Sequence, residues 1–346
     1  MNIKIAILDK DRNYLERLSG VLQQYDELSV SIFSRKETFE QAMEQNSFQI
    51  VLFQPDISEN PINFSTGSMP ICLCSEETKN RKIYPSVAAI QKYQRISNIY
   101  KEILKNYAEY VGEDDLEFFR EESTKVISVY SPIGGSGKTT IALAIARKLH
   151  EVNKKVLFLS TEQISSSSSC FKVQDEGITR LVETLNGTGN FQLTLKGILK
   201  ENEMGFLYLE GFRRLVDYDD VNSEEMETVI SKIKQCGVCD FMVIDTGSCL
   251  DKLTKAVLET SDKIVVVQRN SENADAKMKN FDEQIWTTEH RERMVLVKNF
   301  AESNKKNYEL QLPVIGVVHS YGSILNNDLL NSIGQENGIY INDLLQ

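Results

Sequence analysis

Two hydrophobic periods alternate along the chain. Residues 3–8, 30–33, 48–53, 71–74 and 87–90 are short apolar-rich runs set between polar stretches, which is the pattern of strands buried on both faces. Between them apolar residues recur at helical spacing: Tyr14, Leu15, Leu18, Val21 and Leu22 after Asp9-Lys10-Asp11, then Phe39, Ala42 and Met43, and a closing stretch over 96–107. Strand and helix in alternation predict a parallel sheet covered on both faces. An acidic, weakly apolar stretch over 109–124, containing Glu113-Asp114-Asp115 and Glu121-Glu122, reads as a linker to a second domain over 125–346.

The alternation resumes beyond the linker. Strand-like runs cover 125–130, 156–159, 240–245, 263–268, 293–299 and 312–319, a further one falls within 205–217, and helical spacing covers 141–147 and 223–234. About seven or eight mostly parallel strands are predicted, with ligands at their carboxyl ends. Between the first of these strands and its helix stands Ser131-Pro132-Ile133-Gly134-Gly135-Ser136-Gly137-Lys138-Thr139-Thr140. A glycine turn between strand and helix lets backbone N–H groups converge on an anion, with the positive end of the helix dipole behind them. Gly134, Gly135 and Gly137 are expected to take positive φ or allow close approach. Lys138 brings an ammonium to the β- and γ-phosphates, and Thr139 a hydroxyl for Mg²⁺. Ser136 and Thr140 complete the cradle. The usual P-loop spacing places its first glycine at 132, where this chain has proline.

Downstream, an apolar strand ends in Asp245, the logic of a Walker B acid that meets Mg²⁺, and Thr246-Gly247 follow as a γ-phosphate loop. With its paired glycines, SPIGGSGKTT resembles the deviant P-loop of the MinD/ParA family, whose pattern is K-G-G-x-G-K-[ST]-T. That resemblance implies an ATPase using ATP and Mg²⁺. It also implies a signature lysine acting across an ATP-sandwiched dimer, and Ile133 occupies that position. The family's D-x-D after the second strand falls on Ser160 and Glu162. Glu162 keeps a carboxylate able to orient water, or is a surface acid at a strand end. By the same resemblance Asn299 presents an amide to adenine or caps its loop, and His319 and Ser320 line the adenine pocket. The catalytic set is then Lys138, Glu162 and Asp245, and the metal set Thr139 and Asp245.

Residues 1–108 resemble the receiver domain of two-component response regulators, without its chemistry. The phosphoacceptor position in Phe48-Gln49-Ile50-Val51-Leu52-Phe53-Gln54-Pro55-Asp56 is Gln54, and the second metal-holding acid after the first strand is Lys10, whereas Lys92 matches the family's lysine. A receiver without an acceptor ahead of a MinD-like ATPase is similar to the TadZ/CpaE branch. The resemblance implies a homodimerising, slowly hydrolysing localisation factor for a Tad/Flp-type pilus or secretion machine, with assembly proteins as partners. A ParA-like DNA partition ATPase and a degenerate response regulator acting as an interaction module are the alternatives.

Composition narrows this picture. A content of 41% apolar and 26% charged residues over 346 is that of a globular chain long enough for two domains, and a net charge of −11 argues against nucleic acid as a general partner. The N-terminal residues lack a signal-peptide pattern, and no run reaches the length of a membrane span. A cytoplasmic protein recruited to the cell pole or inner membrane face by partners is therefore expected. Among six cysteines, Cys236-Gly237-Val238-Cys239 is the one C-x-x-C. With three histidines in the whole chain and none at ligand spacing to it, core packing is expected there rather than zinc.

Overall fold

The computed structural model describes residues 3–25, 28–55, 62, 64, 67–75, 87–111, 124–165, 171, 177–187, 189–212, 214–301, 308–319 and 339–345. Most of the 109–124 linker, most of the serine run after Ile164, Asp56 and the pocket candidate Ser320 lie outside the described residues. The chain forms two compact units, Met1–Phe118 with Thr188–Gly197, and Phe119–Gly187 with Ile198–Gln346.

In the first unit five parallel strands lie in the order β2-β1-β3-β4-β5: β1 Ile3–Leu8, β2 Leu28–Phe33, β3 Ile50–Phe53, β4 Met69–Cys74 and β5 Ala88–Gln91. Helix α1 (Arg12–Leu22) begins at Asp11, whose carboxylate accepts the Tyr14 N–H, and buries Leu15, Leu18 and Leu22 against one face. Phe39 and Met43 of α2 (Lys36–Gln45) cover the other face, with Phe48 and Phe53. The long helix α3 (Ile96–Val111) packs Ile99, Ile103 and Leu104 into the first face. The returning stretch of the first unit caps this helix: the Asn190 N–H donates to the Ala108 carbonyl at 2.8 Å, and Leu193 is buried in the same cluster.

Chain order reverses between β1 and β3, so the residues after these strands flank the crevice where such sheets bind ligands. Here that crevice is filled by its own side chains. The Lys92 ammonium donates to Asp9 Oδ2 at 2.6 Å with both side chains buried, the Asp11 N–H donates to Asp9 Oδ1, and the Lys10 N–H donates to Gln54 Oε1. The tyrosines Tyr14 and Tyr93 face the Lys92 ammonium with their rings.

The second unit holds an eight-stranded sheet in the order β13-β12-β11-β6-β10-β7-β9-β8, parallel except for the β8–β9 pair. Its members are β6 (Lys125–Tyr130), β7 (Val156–Ser160), β8 (Lys200–Glu201), β9 (Leu207–Leu209), β10 (Phe241–Asp245), β11 (Lys263–Arg269), β12 (Met294–Ala301) and β13 (Val314–His319). The strand at 205–217 is shorter than the sequence pattern suggests: only Leu207–Leu209 extends along β7, and Leu215–Asp220 turns helical. The central strands β10 and β7 are buried at every position, as fits a sheet covered on both faces. Helix α4 (Lys138–Glu151) follows β6 and buries an unbroken run from Ile141 to Ala146 against this sheet. On the opposite face α5 (Glu272–Asp282) packs Ala274, Met278 and Phe281 beside Tyr130 and Leu296.

Cys239 is packed as a small apolar residue, its thiol 3.9 Å from Thr124 Oγ1 and pushed up to about 12 chiefly by burial. Among the described residues no group of three or more His, Cys, Asp and Glu is placed to hold a metal, and no helix is long and apolar enough to cross a membrane.

Candidate functional site

The turn between β6 and α4 is built to receive an anion. Gly135 and Gly137 take positive φ, 67° and 85°, the left-handed region that side-chain-bearing residues rarely adopt. Gly134 does not; it occupies an exposed position where an added Cβ would meet nothing within 4 Å. Gly137 is the N-cap of α4, and no side chain caps it. The first N–H groups of the helix therefore face the turn with no cap supplied by the N-cap residue itself. At Gly137 a Cβ would also fall 2.3 Å from Asn299 Nδ2, so close approach and positive φ both demand glycine there.

Lys138 is 6% exposed, and its ammonium donates to Ser248 Oγ at 2.8 Å and pairs with Glu162 Oε1 at 3.7 Å. Thr139 Oγ1 donates to Asp245 Oδ2 at 2.7 Å. The structure thus gathers Lys138 and Thr139 from α4, Glu162 from beyond β7, and Asp245 and Ser248 from the end of β10. Ser248 carries no mark of its own in the sequence. The signal that could find it is its place directly after Thr246-Gly247, the expected phosphate loop, where Thr246 itself is tied down by donating to the Val129 carbonyl.

Ile133, at the position of the MinD/ParA signature lysine, is turned inward. It is 8% exposed, in one apolar cluster with Tyr130, Leu258, Ile264 and Met278. Asn299 at the end of β12 gives its amide N–H to the Ser136 carbonyl at 2.8 Å, and its Oδ1 accepts the Phe300 N–H at 3.0 Å. His319 closes β13 at the surface, its Nδ1 3.1 Å from the Ala301 carbonyl oxygen.

Two buried oxygens show what the site can hold. Asp245 Oδ1 and Ser136 Oγ are out of solvent and have no hydrogen-bond partner among the described residues. A carboxylate oxygen in that state beside the Thr139 hydroxyl fits a divalent cation, and the glycine-capped helix N-terminus with Lys138 fits the phosphates that would complete the cation's shell. Burial first, and then the charge of Glu162, push the Asp245 carboxyl up to about 7 against the Thr139 hydrogen bond and the Lys138 charge. Below 3.8 the folded and unfolded chains both carry this proton; as pH rises toward about 7 the unfolded chain ionises first and the fold loses stability. Asp245→Asn is therefore expected to raise the melting temperature of the nucleotide-free protein at pH 8, with the gain vanishing as pH falls toward 4. Melting curves of both forms across that range check this, and a gain independent of pH would contradict it.

A parallel sheet with a glycine turn, an uncapped helix N-terminus and a buried acid on the adjacent strand is the P-loop NTPase fold. Residues 124–300, half of the chain, match the family model described as an AAA domain, and the chain belongs to that family. Residues 1–108 match the model of a TadZ-like receiver domain, so a receiver-like module precedes the P-loop domain.

Two curated relatives and one solved structure are similar over parts of the chain. Over 52 residues it is 50% identical to the putative arsenical pump-driving ATPase 2 of Aquifex aeolicus, which covers 15% of this chain and 17% of that protein. Over 146 residues it is 28% identical to the tyrosine-protein kinase CpsD of Streptococcus pneumoniae, covering 37% of this chain and 64% of that protein. The chain thus spans less than two thirds of the length of either. The MinC:MinD cell division protein complex of Aquifex aeolicus aligns at 17% identity over 60% of this chain and 85% of that one, with a TM-score of 0.49.

Proposed function

We propose that this chain is an ATP-binding, slowly hydrolysing localisation factor that dimerises on ATP and serves the assembly of a Tad/Flp-type pilus or secretion machine. The observation that supports this most directly is domain order: a TadZ-like receiver module with Gln54 at the acceptor position stands ahead of a P-loop domain. In such a protein the front module acts by binding partners, and nucleotide state sets which partners are bound.

In this reading the N–H groups of the 134–140 turn and the Lys138 ammonium bind the phosphates of ATP. Thr139 and Asp245 hold Mg²⁺, which when bound neutralises charge on the β- and γ-phosphates. Glu162 orients the attacking water. The Lys138–Glu162 pair must open for both to act, and Ile133 brings no charge to the phosphates, so hydrolysis is slow. Recruitment to the cell pole or the inner membrane face comes through partners.

Deleting the gene in its host is expected to remove surface pili while leaving plasmid retention unchanged, and Mg-ATP is expected to shift the purified protein from monomer to dimer in light scattering where Mg-ADP does not. Plasmid loss with normal piliation, or DNA binding in a low-salt gel shift, would instead favour the partition ATPase.

A further inference from the structure

Two side chains from neighbouring strand ends hold the outside of the phosphate turn. Arg269, the last residue of β11, donates through Nη1 to the Gly135 carbonyl at 2.9 Å. Asn299, its cross-strand partner on β12, donates through Nδ2 to the next carbonyl, that of Ser136, at 2.8 Å. The Arg269 guanidinium lies 5.3 Å from the centroid of the Phe300 ring, and Phe300, at a positive φ of 53°, is fixed in turn by its N–H bond to Asn299 Oδ1. A bulky residue in that backbone region is strained and needs its surroundings to hold it.

The consequence follows from peptide geometry. In a trans peptide the C=O and the next N–H point in opposite directions. Pinning the Gly135 carbonyl outward aims the Ser136 N–H into the turn, and pinning the Ser136 carbonyl outward aims the Gly137 N–H the same way. Left-handed residues at 135 and 137 make these successive N–H groups converge, the arrangement that binds anions. The nest is thereby set before an anion arrives, so less ordering remains to be done on binding. Arg269 also keeps an exposed guanidinium against the backbone of the turn at Gly135, in a chain whose position 133 is apolar.

We propose that Arg269 and Asn299 act together as positioning residues for a polyphosphate, selecting nucleoside di- and triphosphates over monophosphates. This rests on the nucleotide reading above and adds residues that neither glycine spacing nor the lysine at 138 reveals.

The experiment measures binding of mant-ATP and mant-AMP in Mg²⁺ buffer to the full chain and its variants. Arg269→Ala is expected to weaken mant-ATP binding about tenfold, the scale of one charge-assisted hydrogen bond, and mant-AMP binding by less than about twofold. Arg269→Lys, which keeps a cationic donor, is expected to recover most of the loss, and Asn299→Ala to reproduce it. The ratio of the two affinities does not depend on the folded fraction, so a partly unfolded variant still reports. Equal losses for both nucleotides would overturn the proposal, as would Arg269→Ala binding mant-ATP within about twofold of the unmodified chain. If the unmodified chain itself fails to bind mant-ATP, the nucleotide reading falls and takes this one with it.

Discussion

Lys138→Ala is expected to lower the affinity for Mg-ATP by at least about a hundredfold, measured by calorimetric titration of the full chain. The size of the effect comes from two changes of the same sign. The variant removes a buried ammonium at the mouth of the turn, and with it the charge-assisted bonds to the phosphates. It also leaves Glu162, at 3.7 Å from that ammonium, and Asp245 as two acids with no facing cation from α4 where a polyanion must enter. Lys138→Arg, which keeps the charge in a wider head group, should lose less, because the pocket is tight but the electrostatics survive. The fold should tolerate the loss, since Ile141, Leu143 and Ile145 rather than Lys138 anchor α4 to the sheet. Binding of Mg-ATP to Lys138→Ala within about threefold of the unmodified chain would remove the turn from consideration as the phosphate site.

That site is largely legible in the sequence because its parts are contiguous. Most residues from Gly134 to Thr140 answer a local requirement for glycine, hydroxyl or ammonium, and Asp245 is marked by the strand that ends in it. What is not legible depends on strands far apart in the chain becoming neighbours. Arg269 and Asn299 meet the turn only because β11 and β12 lie side by side next to β6, and periodicity alone does not give strand order. The resemblance makes Asn299 an adenine ligand or a loop cap; that its amide also holds the P-loop backbone, besides capping its own following residue, is visible only in the structure. The ten-residue return of the chain to the first unit, Thr188–Gly197, is equally hidden, since Leu193 and its neighbours have the spacing of any amphipathic helix and carry no mark of which core receives them. That Gln54 stands at the acceptor position is plain in the sequence, but not what fills the crevice beside it.

That filling sets the second large effect. Lys92→Met should destabilise the first unit by about 3–5 kcal/mol, because it leaves a carboxylate buried without its cation. Asp9 is fully buried, and once Lys92 is gone the Asp11 N–H is the one donor left to its carboxylate among the described residues. Unlike a surface pair, whose loss water repairs, this one has no route to solvent. At a denaturant slope of about 2 kcal/mol per molar the urea midpoint should fall by about 1.5–2.5 M, followed by far-ultraviolet circular dichroism of the full chain. Trp286, the one tryptophan, lies in the second unit and reports that unit separately. Adding Asp9→Asn to Lys92→Met should restore most of the loss, since an amide is cheaper to bury than a lone charge and its oxygen can still accept the Asp11 N–H. If the pair were instead kept for a ligand, Lys92→Met would leave the midpoint where it was, and the self-filled crevice would have to be given up.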